Sequence, residues 1–214
     1  MINRILIRIK VAQILYSYLL TRSEFKIQSA PETTSRDRKY AYSLYLDMIL
    51  FMLELSGYPV KNGERNVPLS IDKKLASCKM AKALAADDDI KRVILKGNSN
   101  IRMLDGIAQE IHDKIEASAA FKDYKKLRSP QLKDDVKMWT AVLNTIILND
   151  NGLIEALRAN PEFTNVGMAK AIEMVTDTLN SYNDSRATLN SARESLERSL
   201  DKAYELYASM FQLI

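Results

Sequence analysis

From Leu189 to the last residue, apolar side chains recur at steps of three and four: Leu189, Ala192, Leu196, Ala203, Tyr207, Met210 and Ile214, with Ser199 or Leu200 between. A seam of this kind belongs to a long helix that needs a partner along its whole length. The same constraint runs through the chain, because only 6 Gly and 5 Pro interrupt its 214 residues. Long helices with few breaks are therefore expected. No stretch alternates as a half-buried strand would. The implied fold class is all-α, a multi-helix bundle.

Asn3 to Thr21 is apolar almost all round, with a narrow polar strip of Lys10, Gln13, Ser17 and Thr21, the pattern of a helix surrounded by others. After a polar connection, Thr34 and Asp37 form a capping-box-like start for a helix that runs to Gly57, a natural stop. The loop that follows, "YPVKNGERNVPLSID", holds Pro59, Asn62-Gly63 and Pro68 and is the best candidate boundary. Shorter helices are expected over Lys74–Ala86, Asp88–Lys96 and Ile101–Ser118. Another opens after Ser129-Pro130 and continues to Leu148, and two more cover Gly152–Ala159 and Gly167–Asn180. The domain reading is an N-terminal pair over 1–57, a loop at 58–69, a helical region over 70–185 and a long helix over 186–214.

Charge and chemistry narrow the function. Residues 1–40 hold eight Lys/Arg and three Asp/Glu, against a net charge of +4 for the chain. The excess positive charge thus sits at the N-terminus, which suits an anionic partner. No run approaches the roughly 20 apolar residues of a membrane span, and Arg8, Lys10 and Gln13 interrupt what would be a signal-peptide core. A cytoplasmic protein without membrane contact is expected. One Cys and one His assemble neither a disulfide nor a Cys/His metal cluster. His112 has Asp113 and Glu116 beside it but no evident nucleophile, and reads as an ordinary surface histidine. Asp87, Asp88 and Asp89 precede a helix, where acids cap free N–H groups. With no phosphate loop, dinucleotide fingerprint or nucleophile elbow, neither an enzyme nor a cofactor is expected.

Two motifs remain. A-Y-x-L-Y-x-x-M occurs at Ala41–Met48 and again at Ala203–Met210, and the first helix carries R-x-x-x-R-x-x-x-x-Q-x-L-Y through Arg4, Arg8, Gln13, Leu15 and Tyr16. The latter resembles the N-terminal helix of the transcription antitermination factor NusB family, and the opening as a whole is similar to its longer, Bacteroidetes-type members. The resemblance covers about twenty residues at the start and, more weakly, Ser199–Ile214. It implies an N-terminal portion of a NusB-like fold, with a NusB-like first helix, a large helical insertion and a final helix entering the rest of the core. It also implies binding of single-stranded boxA RNA of ribosomal RNA transcripts together with the ribosomal protein NusE, without chemistry.

By position, Arg4 and Arg8 would meet phosphates, with Lys10 as a third, and Gln13 and Tyr16 would approach bases or the partner protein. Here the chain departs from the family, since Ile5, Leu6 and Ile7 stand where arginines often cluster. The competing class is a helical protein-interaction or oligomerisation module without RNA contact. Its interface would be the last helix, with Leu206, Tyr207, Met210 and Ile214 meeting a second copy or a missing C-terminal bundle. A NusB-like domain of the kind attached to ribosomal RNA methyltransferases ranks below both.

Overall fold

The computed structural model describes residues 25, 28, 36–58, 70–88, 90–92, 104, 106–186 and 198. Among these residues there is no strand, and the fold is an all-α helical bundle. The chain divides into two compact units, 1–24 with 184–214, and 25–183. The described residues up to 183 belong to the second.

Its first described helix, α1, covers Arg36–Leu55. Every residue from Asp47 to Ser56 is buried, including four consecutive large apolar side chains, Leu50, Phe51, Met52 and Leu53. A helix apolar on all faces is stable in water only when other chain segments cover each face. Gly57 ends it at φ +85°, a left-handed conformation that costs other residues about 1 kcal/mol or more. The Tyr58 amide turns back to the Leu53 carbonyl and that of Gly57 to Glu54, so the last carbonyls of the helix are satisfied.

The expected helix over Lys74–Ala86 is instead two, α2 (Lys73–Ala76) and α3 (Lys79–Ala86), separated at Ser77 and Cys78. Next come α4 (Ala108–Ala117) and α5 (Ala119–Lys126), hinged at Ser118. That serine ends α4 and starts α5, its Oγ accepting the Phe121 amide at 3.2 Å. The helix α6 covers Leu132–Thr145 and gives way to a single 3-10 turn at Ile147–Asn149, after which α7 covers Asn151–Arg158. A further helix, α8, begins at residue 165.

Most starts are capped as the residue types dictate. Asp72 Oδ1 accepts the Lys74 amide, Asp150 Oδ1 the Leu153 amide, and Asp134 returns to the Gln131 amide at 2.8 Å. Each such cap is worth about 1 kcal/mol.

Packing centres on α6, which lies against α3 and α5, while α4 packs on α5 and α1 on α3. Trp139, Val142 and Leu143 of α6 are fully buried with Phe121, Leu75, Ile111, Ile115 and Leu153. Phe25 stacks on Tyr182 with ring centroids 3.7 Å apart. Tyr45 of α1 joins α8 through its hydroxyl, which lies 2.9 Å from Thr178 Oγ1 and accepts the Gln28 amide. Helix α1 therefore shares a core with residues 70–183. None of the described helices is long and apolar enough to cross a membrane.

Candidate functional site

The residues expected to contact RNA (Arg4, Arg8, Lys10, Gln13 and Tyr16) lie outside the described residues. So do Leu206, Tyr207, Met210 and Ile214, expected at an interface, and Thr34 of the anticipated capping box. Within the described unit, two polar side chains that are wholly buried, Asp135 and His112, tie helices together.

The first is Asp135, fully buried in the first turn of α6. Its Oδ2 accepts the Met80 amide at 3.0 Å, and its Oδ1 accepts the Tyr124 hydroxyl at 2.6 Å. The Cys78 thiol lies close enough to feel the same carboxyl. The carboxylate thus caps α3 from a different helix, at the end where free amides and the helix dipole favour negative charge. Burial, reinforced by Asp135, pushes the Cys78 thiol up to about 12 from an ordinary 9.0. Burial likewise raises the Tyr124 phenol, with the Asp135 hydrogen bond adding to it. A thiol so protonated is no nucleophile at neutral pH, and the cluster holds helices together.

The second centre is His112. The surface histidine expected from the sequence is instead completely buried. It falls on the inward face of α4 with Ala108, Ile111 and Ile115, and the Asp72 amide, forty residues away, donates to its Nε2 at 3.3 Å. An accepting Nε2 places the proton of a neutral ring on Nδ1. That nitrogen is buried without a hydrogen-bond partner, and the nearest carboxylate oxygens are Glu116 Oε1 at 3.6 Å and Asp113 Oδ1 at 3.9 Å. Asp72 completes the link by pairing with Lys125 Nζ at 2.6 Å. Burial alone would raise the Asp72 carboxyl, but the Lys125 ammonium and the Lys74 amide outweigh it and hold it below the usual 3.8.

Of the aspartate run, Asp87 caps as its position suggests, its Oδ1 accepting the Ile90 amide at 3.3 Å. Among the described residues, no three His, Cys, Asp or Glu side chains group as a metal site would.

The Asp135 bonds and the Asp72–Lys125 pair join the segment 70–82 to the segment 119–137, and this brings together cations that are dispersed in the sequence. The two segments carry ten Lys/Arg and four Asp/Glu. The chain-wide net charge hides them, because Asp87–Asp89 and the acid-rich stretch 150–183 offset them in the total. A signal was present in the strings "KKLASCKMAK" and "KDYKKLRSPQLK", but their adjacency is a property of the fold. Comparison with protein families, with curated proteins and with solved structures gives no match.

Proposed function

We propose that the protein is an RNA-binding transcription antitermination factor that acts with NusE on boxA RNA of ribosomal RNA transcripts. The observation that carries this reading is the run Arg4, Arg8, Gln13, Leu15, Tyr16 in the basic N-terminal sequence, in the order of the NusB first helix. An all-α fold is compatible with it. Arg4 and Arg8, one turn apart, present planar forks to successive phosphates, with Lys10 adding a point charge. Gln13 and Tyr16 read base edges and faces or contact the partner protein. Binding is the whole activity, with no reaction step and no cofactor.

Three phosphate contacts on a single strand give a slope of log K against log[salt] near roughly −2. Titration of boxA RNA and a scrambled control, with and without Arg4→Ala plus Arg8→Ala, is the test. Preference for boxA, weakened and flattened in the double variant, supports the reading; equal affinity of variant and parent defeats it. A helical interaction or oligomerisation module is the second reading, favoured by the apolar seam of Leu206, Tyr207, Met210 and Ile214. It predicts no RNA binding and a concentration-dependent mass.

A further inference from the structure

We propose that the lysine-rich face formed by α2, α3 and the turn between α5 and α6 is a second, sequence-independent docking site for the phosphodiester backbone of a nucleic acid. It depends on no residue before Asp72 and so stands whether or not the N-terminal helix binds RNA.

The face is defined by contacts between its cations and the opposing segment. Lys74 Nζ donates to the Leu127 carbonyl at 2.6 Å and Lys79 Nζ to Gln131 Oε1 at 3.3 Å. These bonds place the start of α2 and the start of α3 on the loop 127–131, between Lys126 on one side and Lys133 on the other. The carboxylates of these two segments are already committed. Asp135 is inside, Asp134 caps α6, Asp72 pairs with Lys125 and Asp123 with Lys126 at 2.7 Å. Lys73, Arg128 and Lys133 are exposed, and among the described residues no carboxylate forms an ion pair with them. The result is a concentrated positive field on a chain whose net charge is only +4, and such a field attracts a polyanion.

The composition of the face selects the occupant. Protein interfaces are depleted in lysine and built around aromatic, Met and Arg anchors. Here the local aromatics Phe121, Tyr124 and Trp139 are all buried. Among the described residues, the only exposed large apolar side chain on these segments is Leu127, at 38 %. That leaves no anchor for an acidic peptide and no wedge for a lipid surface. Without an exposed aromatic there is no platform for base stacking either. Point charges on flexible stems are suited to phosphate oxygens rather than base edges, so the contact is to the backbone and indifferent to sequence.

The test uses the intact chain and a fluorescein-labelled 20-nucleotide oligouridylate, followed by anisotropy over a salt series. Arg128→Glu with Lys133→Glu changes the charge of the face. Arg158→Glu with Lys170→Glu makes the same change in the acid-rich region, where both residues sit in exposed i,i+3 pairs. Circular dichroism melting confirms that each variant is folded. The expected result is about tenfold weaker binding for the first variant. Its salt slope should be shallower by about 1.4, the share of two phosphates on a single strand, with little change for the second. In an Arg4→Ala plus Arg8→Ala background the oligonucleotide should still bind and the face variant should still lose it, which separates this site from the N-terminal one. Equal losses in both glutamate variants, or no loss in either, overturn the site. Displacement of the oligonucleotide by polyglutamate at equal charge, or tighter binding to phosphatidylserine vesicles than to oligouridylate, overturns the assignment to phosphodiesters.

Discussion

Asp135 and His112 are both wholly buried polar side chains that knit the same set of short helices, yet one is satisfied and the other half so. Asp135 receives an amide at one oxygen and a phenol at the other. His112 receives one amide, and its second nitrogen faces two carboxylates just beyond hydrogen-bond reach. A buried carboxylate is stabilising only when donors surround it, and the break between α2 and α3 supplies one of those donors. A neutral imidazole tolerates a missing partner at lower cost. The two centres therefore differ in how much of the fold depends on them.

Replacing each centre by an apolar side chain is the most direct way to break the comparison. Asp135→Ala strands two buried donors and is expected to cost about 4 kcal/mol, a large part of the stability of an ordinary domain. Chemical denaturation should show it as a midpoint shift, and a cost below that of the histidine variant would reverse the ranking. Tyr124→Phe removes one charge-assisted donor and is expected to cost about 2 kcal/mol. Combined with Asp135→Ala it should add much less than 2, since the two share one hydrogen bond. His112→Leu removes both the acceptor for Asp72 and the unpartnered nitrogen, and should cost only about 1 kcal/mol.

The smallest effect sharpens the comparison on the pH axis. The Cys78 thiol is raised on folding, so its contribution is fully present below 9.0 and disappears as pH rises through about 12. The Asp72 carboxyl, beside His112, is lowered on folding, so its contribution is present above 3.8 and disappears as pH falls through its folded value. The Asp135 centre thus weakens in alkali and the Asp72 link in acid. Melting temperatures against pH should show a flatter alkaline limb for Cys78→Ala and a flatter acid limb for Asp72→Asn. A Cys78→Ala change that altered the acid limb instead would assign the pH dependence to other groups.

The all-α class and several boundaries were legible because they are local. Gly57 ends α1, and Asp87 and the Ile111/Ile115 stripe do what their spacing implies. What escaped was set by partners far away in sequence. His112 sits among charged neighbours along the chain, and only the arrival of Asp72 makes its position an interior one. The helix α5 was missed because eight residues with three lysines carry little periodicity, although Ser118 announced its start. The split at Cys78 looks like continuous helix in the string of letters, because the carboxylate that stabilises the break lies fifty-five residues from Met80. The site expected from the first helix rests on a motif outside the described residues, while the lysine face needed the fold to bring 70–82 onto 119–137.

The break at Ser77 and Cys78 also has a mechanical meaning. A continuous helix over 73–86 would swing Lys79 and Lys82 through an arc relative to Lys73 and Lys74, and would leave no free amide for Asp135 to hold. With the elbow fixed from inside, the stems of these four lysines emerge from a rigid frame, and only their side-chain torsions remain to adapt. A surface of that kind loses little freedom when an anion arrives; its charges are already arranged, like type set before the page is pressed.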